Sequence, residues 1–414
     1  MTLSSSRRGI SRRQLVQMTA AGAAAGVLPL LPMRAARAAA LVKVGVLLPT
    51  SGIYASSGQA ARKGIEFGAQ VNKEQGGPEL DISFADTESK PENGRVAAEK
   101  LIRSGCTVLI GAWDTGATIS AAQAAEAAKV PLVVNIGSAP QITEQGFTQV
   151  FRNFTPVTAL IENSLARIKE LAAAAAKPPK TAVLLYVNDS YGQAALAGVS
   201  ALWEKQNMPI QILDKIGYDA KAKDLSVEVG KAKASGADLL LPMTRVNDAI
   251  MIVRESVKQN FNPMGIIGPG SAGPYERAFT DAVGKYGDGY MVSVPWYNPQ
   301  NPRAKALVER YEKENKGARF ELNVGFSFEA VEIVADAVKR AGASDPAALH
   351  AALKATHITD HVMFGGPIVF DAKGQNPNIG VAMLQIRDSQ PIVVGPQEIA
   401  VAKVEFPMRP FDQR

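Results

Sequence analysis

The chain alternates between short apolar runs and longer segments in which apolar residues recur every three or four positions. The first run, Val42–Leu48, ends at Pro49, and residues 59–72 then show a helical period of apolar side chains. A short apolar run bounded by turn residues predicts a buried strand, and the helical period predicts a helix packed on one side. The same two patterns recur through residues 80–135. Strands separated by helices predict a parallel sheet that is covered on both faces.

A second set of strand and helix patterns begins after Thr155-Pro156 and continues to residue 267. Two such sets predict an α/β fold with two doubly wound parallel-sheet lobes. The last third differs, since a strand at 290–295 is followed mainly by helical patterns. The predicted helices there are residues 303–314, 329–341 and 347–355. Three final apolar runs are expected to pair as antiparallel strands at the edge of one lobe's sheet: residues 367–374, 380–386 and 391–394.

The first forty residues have the order of charged, apolar and small residues that is typical of an export signal. Arg12-Arg13 precedes an apolar stretch from Met18 to Leu31, and Ala36–Ala38 gives an A-x-A cleavage pattern. The stretch is shorter than the roughly 20 residues that span a bilayer, which argues against a membrane anchor. Residues 1–38 resemble a twin-arginine signal peptide, read by the twin-arginine translocase. We therefore expect a soluble periplasmic protein without a lipid anchor.

The charge of the chain is concentrated in this leader. The six arginines of residues 1–38 account for the whole net charge of +6, so the remainder has equal numbers of basic and acidic residues. Such a balance gives no general electrostatic attraction to nucleic acid or to an anionic membrane. Apolar residues make up 46% of the chain, enough for a large core, and the single cysteine, Cys106, excludes an internal disulfide.

Residues 268–273 are the strongest candidate for enzyme chemistry. Their glycine spacing matches a dinucleotide-binding turn, but Pro274 interrupts the helix that such a site needs. They also approach the nucleophile elbow of hydrolases, with Pro269 in place of the first glycine and Ser271 as the nucleophile. Only three histidines are available for a triad or a metal site. We expect no enzyme activity, no cofactor and no metal, and a Ser271 hydrolase stays as a weaker alternative.

Five loops that follow predicted strands are rich in glycine and hydroxyl-bearing residues. They are residues 50–59, 111–118, 135–140, 188–192 and 268–273. The carboxyl ends of parallel strands lie at one edge of a sheet, and the N–H groups of helices that begin there attract anions. Each loop alone is also consistent with ordinary helix capping. Together they predict a crevice that binds a small molecule.

The order of these motifs resembles the leucine/isoleucine/valine-binding family of periplasmic substrate-binding proteins, which serve ABC importers and have the type I periplasmic binding fold. The matching motifs are Val44–Gly52, Asp86-Thr87 with Pro91, Ile110-Gly111, Val187–Gly192 and Phe370–Gly374. The resemblance covers residues 41–396. It implies two lobes, joined by three hinge segments, that close on a ligand.

The resemblance also implies where the lobes begin and end. Hinge segments are expected near Thr155-Pro156, Val294–Tyr297 and Thr359–Phe364. With these hinges, lobe 1 comprises residues 39–156 and 296–359, and lobe 2 comprises residues 157–295 and 360–414.

In this family, a hydroxyl and backbone N–H groups of the first lobe hold the ligand's carboxylate. The matching first-lobe positions of this chain are Ser57, Thr115, Ile136, Gly137 and Ser138, with Tyr54 nearby. The resemblance also assigns to Tyr191 the role of an aromatic lid from the second lobe.

Gly270 departs from the family pattern, because members that bind amino acids have an acidic residue there for the ligand's ammonium. A buried ammonium without an anionic partner is costly, so either Asp114 replaces that acid or the ligand has no ammonium. Arg245 follows a second-lobe strand and would suit a carboxylate, with a solvated surface arginine as the alternative. Trp113 and Trp296 are candidates for the wall around the ligand's body, with plain packing as the alternative.

These features predict an exported solute-binding protein that captures a small carboxylate-bearing ligand between its lobes and delivers it to an ABC permease. The ligand is a branched-chain or other amino acid, or an aromatic or aliphatic organic acid, and the sequence leaves both open. A ligand-sensing module of a signalling receptor is the alternative, since the fold is shared. We expect a monomer that does not bind nucleic acid.

Overall fold

Five parallel strands form the first of two sheets in the structure, a computed structural model that describes residues 41–414. The strands are β1 (Val42–Leu48), β2 (Leu80–Asp86), β3 (Val108–Ile110), β4 (Leu132–Val134) and β5 (Val150–Arg152). Their order is β2-β1-β3-β4-β5, and every neighbouring pair is parallel. The sequence pattern does not predict β5, because it contributes only two apolar residues to the sheet. The predicted signal peptide, residues 1–38, lies outside the described residues.

Helices alternate with these strands as the apolar period predicts. They are α1 (Ala55–Glu74), α2 (Pro91–Arg103), α3 (Thr115–Ala128) and the short α4 (Gln141–Glu144). α1 begins four residues before its predicted segment, because a 3₁₀ turn at Gly52–Tyr54 leads directly into it. The apolar period predicts a helix from Thr118 to Lys129, and α3 begins three residues earlier because Asp114 caps its N-terminus.

Seven strands form the second sheet. Its parallel strands are β6 (Thr181–Val187), β7 (Gln211–Tyr218), β8 (Leu239–Met243), β9 (Gly265–Pro269) and β10 (Met291–Val294). The other two are β11 (Ala382–Arg387) and β12 (Gln390–Gly395), which pair antiparallel beside β10. The order is β12-β11-β10-β9-β8-β6-β7, so the predicted antiparallel addition at one sheet edge is confirmed.

The helices of the second set connect these strands. They are α5 (Val157–Ala174), α6 (Ser190–Lys205), α7 (Ser226–Ala234), α8 (Val246–Lys258) and α9 (Arg277–Val283). Two sheets, each wound with helices, confirm the predicted α/β fold with two doubly wound lobes. We call the part built on the first sheet lobe 1 and the part built on the second sheet lobe 2.

The chain then returns to lobe 1 through three helices, α10 (Pro302–Glu314), α11 (Leu322–Ala341) and α12 (Pro346–Lys354). α11 packs against α1 so closely that a Cβ on Gly64 would lie 2.4 Å from the carbonyl oxygen of Val324. α11 begins seven residues before the predicted start at Glu329, because the buried Asn323 and Ser327 interrupt its apolar period. Across residues 41–414, no helix combines the length and apolar character needed to cross a membrane.

The predicted strand at residues 367–374 is wrong. The segment around it makes only isolated bridges, between Ile368 and Ile358 and between Gln375 and Arg152. Its extended run ends in a turn, where the Asp371 carboxylate accepts hydrogen bonds from the N–H groups of Lys373 and Gln375. Local side-chain bonding of this kind competes with strand pairing.

Three segments connect the lobes. The first lies between β5 and α5 and contains Thr155-Pro156, and the second lies between β10 and α10. The third lies between α12 and β11. Within it, buried polar bonds join the chain to lobe 1, where Glu329 accepts from His361 and Asn376 donates to Asn153.

Candidate functional site

A cavity lies between the lobes, at the carboxyl ends of their parallel strands, with about 490 Å³ of empty space that includes its opening to solvent. Lobe 1 and its hinge contribute Trp113, Asp114, Thr115, Ile136, Gly137, Ser138, Phe154, Leu322 and Asn323. Lobe 2 and its hinge contribute Leu160, Tyr191, Arg245, Gly270, Ala272, Tyr275 and Val294. Nine of the twelve residues that the sequence analysis names for the site therefore line one cavity, and the exceptions are Ser57, Tyr54 and Trp296.

The N-terminus of α3 faces this cavity. Asp114 caps the helix by accepting a hydrogen bond from the N–H of Ala117 at 3.0 Å. Thr115, the first helical residue, is 3% exposed, and its hydroxyl has no hydrogen-bond partner among residues 41–414. The first N–H groups of a helix have no partner within it and carry partial positive charge. This end of α3 can therefore receive an anion.

A second group of donors comes from the loop after β4. The N–H groups of Ile136, Gly137 and Ser138 have no hydrogen-bond partner within the described chain. Ser138 is 7% exposed and its hydroxyl is likewise unbonded there, whereas its carbonyl accepts the N–H of Val157 at 2.7 Å. The loop thus directs its donors to the cavity and its acceptors elsewhere.

Arg152 of β5 holds this loop from behind. Its guanidinium donates to the carbonyl oxygens of Ala139 at 2.7 Å and Gly137 at 3.4 Å, and to the hydroxyl of Thr143 at 2.9 Å. The side chain is buried, and burial lowers the pKa of Arg152 to about 9 against the opposing effects of Glu144 and Asp371. A positive charge therefore lies behind the loop, hydrogen-bonded to neutral acceptors.

Arg245 precedes α8 and reaches across the cleft to lobe 1. It forms an ion pair with Asp189, a lobe 2 residue at the start of α6, and contacts Asp114 of lobe 1 at 3.4 Å. Its guanidinium also lies 4.5 Å from the ring centre of Tyr54 and 5.1 Å from that of Tyr191. Since Arg245 is only 5% exposed, the alternative of a solvated surface arginine is wrong.

The electrostatics of this group follow from its burial. Burial opposes the charge of Arg245, but the neighbouring Asp189, Tyr54 and Asp114 raise the pKa of Arg245 above its ordinary value. Burial also raises the pKa of Asp114, and Arg245 acts in the opposite direction. Arg245 is therefore a buried, permanently charged group.

Ser57 and Tyr54 lie behind the cavity wall. The Ser57 hydroxyl donates to Glu276 Oε1 of lobe 2 at 2.7 Å, so it ties the lobes together and does not reach the cavity. The Tyr54 ring packs on Trp113 with 5.4 Å between ring centres, and its hydroxyl donates to Asp189 at 3.4 Å. Both residues therefore lie outside the cavity lining and connect the lobes through bonds to Asp189 and Glu276.

Tyr191 and Gly270 meet on the lobe 2 side. The Tyr191 hydroxyl donates to the carbonyl of Gly270 at 2.8 Å, which fixes the ring over the cavity. Gly270 has a φ of +72°, and a Cβ there would lie 2.9 Å from the Cβ of Leu160. This position therefore favours glycine and leaves no room for an acidic side chain.

Two buried carboxyl groups lie beside the cavity on opposite lobes. Glu276 of lobe 2 accepts from Ser57 and from Ser56, the latter at 3.1 Å, and Glu321 of lobe 1 accepts from the Asn323 side chain at 2.9 Å. Burial, together with nearby Glu276, raises the pKa of Glu321 to about 8. Burial also raises the pKa of Glu276, against its serine hydrogen bonds. The closed arrangement therefore favours a proton on this pair.

Sequence reasoning did not name six residues that line the cavity. They are Phe154, Leu160, Tyr275, Val294, Leu322 and Asn323. Phe154 adjoins one predicted hinge and Val294 lies in another, which was an available signal, because hinge segments of a two-lobed protein border its cleft. Trp296 does not line the cavity and instead packs behind Tyr275, with 5.7 Å between ring centres.

The groups of the hydrolase alternative do not meet. The Ser271 hydroxyl is fully buried and bonds to the hydroxyl and N–H of Thr244. The His361 ring bonds to Glu329 and to the carbonyl of Gly366 in the hinge region. Ser271 thus has the bonding of a structural residue within its loop.

Two wound lobes that enclose a cavity at their strand ends define a two-lobed binding protein of the periplasmic type. A family model described as periplasmic binding protein matches residues 41–391. The chain belongs to this family, as its motifs predict, and the family's members are binding proteins.

Curated relatives agree with this assignment. The Leu/Ile/Val-binding protein homolog 8 of Brucella abortus is 23% identical over 377 residues, which cover 88% of this chain and 93% of that protein. The leucine-, isoleucine-, valine-, threonine- and alanine-binding protein of Pseudomonas aeruginosa is 24% identical over 344 residues, covering 82% and 88% of the two chains.

Solved structures show the same fold. The branched-chain amino acid transporter substrate binding protein LivJ of Streptococcus pneumoniae, in complex with isoleucine, matches with a TM-score of 0.74 at 18% identity, covering 89% of this chain and all of that one. An ABC transporter solute binding protein of Rhodopseudomonas palustris, in complex with benzoate, matches with a TM-score of 0.74 at 21% identity, covering 88% and 100%.

Proposed function

We propose that this protein is exported to the periplasm, captures a small carboxylate-bearing molecule between its lobes and delivers it to an ABC permease. The observation that carries the proposal is the pair of hydroxyl groups on Thr115 and Ser138. Both line the cavity, and neither has a hydrogen-bond partner among residues 41–414.

The chemistry of these donors favours a carboxylate. A hydroxyl that opens into a cavity bonds to whatever fills it, and a carboxylate is the strongest common acceptor for such a donor. The unbonded N–H groups of Ile136 and Ser138 and the N-terminus of α3 add further donors on the same side of the cavity. Two carboxylate oxygens accept several hydrogen bonds at once, and they also interact favourably with the nearby charge of Arg152.

The rest of the cavity suits an apolar body. Phe154, Leu160, Tyr275, Val294 and Leu322 all contribute to its lining. The ligands named for two structurally similar proteins, isoleucine and benzoate, each join a carboxylate to an apolar group. A ligand of that design would place its carboxylate against lobe 1 and its body between the apolar side chains.

Export and delivery rest on the leader and on the family. Residues 1–38 resemble a twin-arginine signal peptide, and family members with related structures are named as substrate-binding components of transporters. A soluble receptor needs a membrane partner to move its ligand, and an ABC permease is the partner that this family serves.

A thermal-shift screen of amino acids and of aliphatic and aromatic acids tests the ligand class, because a ligand that binds only the folded state raises the melting temperature. Calorimetry with the best carboxylate then compares the wild type with Thr115→Val and Ser138→Ala. Each variant should lose about 1–3 kcal/mol of binding free energy, since one donor to the carboxylate is removed.

Ser104→Ala is a matched control, because Ser104 is exposed at the far end of α2 and should leave affinity unchanged. Unchanged affinity in both site variants would contradict the carboxylate site.

An uptake assay tests delivery. A strain without the gene should lose uptake of the same labelled carboxylate. The wild-type gene should restore this uptake, and a gene that carries both Thr115→Val and Ser138→Ala should not. Uptake that persists without the gene would contradict the transport role.

A further inference from the structure

Three aromatic rings and two carboxylates form a cation-binding corner next to the cavity, and the chain fills it with its own Arg245. The guanidinium lies 4.5 Å from the ring centre of Tyr54, 5.1 Å from that of Tyr191 and 5.9 Å from that of Trp113. Aromatic faces at these distances attract a desolvated cation. Such a group of rings would equally attract the ammonium of a ligand if it were vacant.

The two carboxylates of this corner, Asp114 and Asp189, already accept hydrogen bonds from the protein. Asp114 accepts from the N–H of Ala117 and from Arg245. Asp189 accepts from two backbone N–H groups at the start of α6, from the Tyr54 hydroxyl and from Arg245. Every carboxylate oxygen therefore has a protein partner, and Asp114 is the only acidic residue of the described chain that lines the cavity.

A ligand ammonium would have an unfavourable place in this cleft. It would have to share Asp114 with the buried, positively charged Arg245, which already pairs with that carboxylate and with Asp189. Gly270 offers no replacement, since its backbone conformation and the contact with Leu160 exclude an acidic side chain. The donors on lobe 1, in contrast, stay unbonded and need only an acceptor.

We propose that Arg245 determines the ligand class: its guanidinium occupies the place of a ligand's ammonium, so the receptor selects carboxylates that lack an amino group and excludes amino acids. This inference rests on the proposed function, because it presupposes a carboxylate held by lobe 1. It names Arg245 as a specificity-determining residue and an aliphatic or aromatic carboxylic acid as the ligand class.

Matched pairs that differ only in the amino group test the inference. Calorimetry is run on the mature protein with 4-methylpentanoate against leucine, 3-phenylpropanoate against phenylalanine, and benzoate as a short aromatic acid. The wild type should bind the des-amino member of a pair at least about 100-fold more tightly, given the cost of an unpaired buried charge. Arg245→Met keeps an apolar side chain of similar length and removes the charge, so this preference should fall at least tenfold.

Two further variants separate charge from folding. Arg245→Lys keeps a cation in the corner and should retain the preference for the des-amino acid, which covers the case in which Arg245→Met does not fold. Arg254→Met makes the same substitution at an exposed arginine of α8, the helix that Arg245 precedes, and should leave both affinities unchanged.

The outcomes distinguish this inference from the proposed function. Tighter binding of the amino acid by the wild type, or the same preference in Arg245→Met, would overturn the inference while leaving a carboxylate receptor. Loss of the preference in Arg245→Lys would also overturn it. If no carboxylate, with or without an amino group, bound the wild type, the proposed function itself would fail and this inference with it.

Discussion

At the scale of single residues, Arg152 is a side chain that does not line the cavity but holds a loop that does. It is 1% exposed, and its hydrogen bonds go to the carbonyls of Gly137 and Ala139 and to the side chains of Thr143 and Gln375, which are all neutral. Because a buried charge without a counter-ion is unfavourable, an anion bound to the loop in front of it is stabilised. We infer that Arg152 is a positioning residue that acts on the ligand through the loop.

Replacing Arg152 should therefore weaken carboxylate binding more than binding of the same molecule as a neutral amide. For Arg152→Met, calorimetry should show roughly tenfold lower affinity for the carboxylate, because a nearby opposite charge contributes on the order of 1 kcal/mol. The amide should lose less, and Arg152→Lys should retain part of the difference. Equal losses for carboxylate and amide would show that Arg152 acts only by holding the loop.

The sequence placed the loops of Thr115 and Ser138 at the crevice by a local argument, because both loops follow predicted strands and a strand end in a parallel sheet fixes the edge at which a loop lies. The choice of these two residues within their loops came from the family resemblance. Ser57 also lies near a strand end, but its hydroxyl bonds to Glu276, 219 positions away, and nothing local identifies that partner. Asp189 is a similar case, since its role depends on Arg245.

At the scale of elements, the packing of α1 on α11 decides how lobe 1 is built. The two helices approach so closely that Gly64 lies against the backbone of Val324, with no space for a side chain. Helix interiors usually disfavour glycine, so its presence here reflects the contact and not the helix. Because α11 also carries Asn323 and begins at the cavity, this contact sets the position of one wall.

Gly64→Ala should destabilise the protein by about 1–3 kcal/mol, since a new Cβ would overlap backbone atoms of α11. Gly230→Ala is a matched control in another helix, where the nearest atom to a new Cβ lies 3.4 Å away. That variant should be neutral or stabilised by about 0.5–1 kcal/mol, because alanine is the better helix former. Urea unfolding measures both, and equal effects would contradict the close contact.

The elements themselves were predictable where one pattern dominated. β1 matches its predicted bounds at Val42–Leu48, because a run of buried apolar residues ends at a proline. α9 was not predicted, because its seven residues are too few to show a period. The segment at 367–374 has the composition of a strand, yet the turn at Asp371 and the bonds to lobe 1 hold it outside the sheets. Tertiary bonding decides such cases, and it cannot be read from a local pattern.

At the scale of the whole molecule, polar contacts across the cleft hold the two lobes closed. Arg245 of lobe 2 contacts Asp114 of lobe 1, and Asn247 of lobe 2 donates to the carbonyl of Ile53 at 3.0 Å. Ser57 also crosses the cleft to Glu276, which brings that carboxyl near Glu321. The lobes therefore close around two carboxyl groups as well as around the cavity.

This carboxyl pair predicts a pH dependence. Burial raises the pKa of Glu321 to about 8 in the folded protein from an ordinary value of 4.5, so the folded state retains a proton that the unfolded state releases. Glu321 therefore contributes its full stabilisation at pH values below its pKa in the unfolded state. This stabilisation is lost as the pH rises through its pKa in the folded state. The free energy of unfolding of the wild type, minus that of Glu321→Gln, should fall between pH 5 and 8.5, by at most about 1.4 kcal/mol per pH unit.

Comparison with the variant removes the contributions of groups that do not interact with Glu321, so the difference reports on Glu321 together with its neighbour Glu276. Burial lowers the pKa of His361, but the hydrogen bond and charge of Glu329, with the Gly366 backbone and Glu332, together raise it above its ordinary value. His361 therefore also affects stability as pH changes, and equally in both proteins. Urea unfolding at four pH values gives the difference. A difference in unfolding free energy that stays constant across this pH range would contradict a proton held by the buried carboxyl pair. Asn323 and Arg319 are the other polar groups that face Glu321.

The most direct test of the account is a crystal structure of the mature protein with the best-binding carboxylate from the thermal-shift screen. We expect the ligand between the lobes, with carboxylate oxygens about 2.5–3.0 Å from the hydroxyls of Thr115 and Ser138, and Arg245 still paired with Asp114 and Asp189. A carboxylate that points to lobe 2, or a ligand bound outside this cavity, would contradict the account.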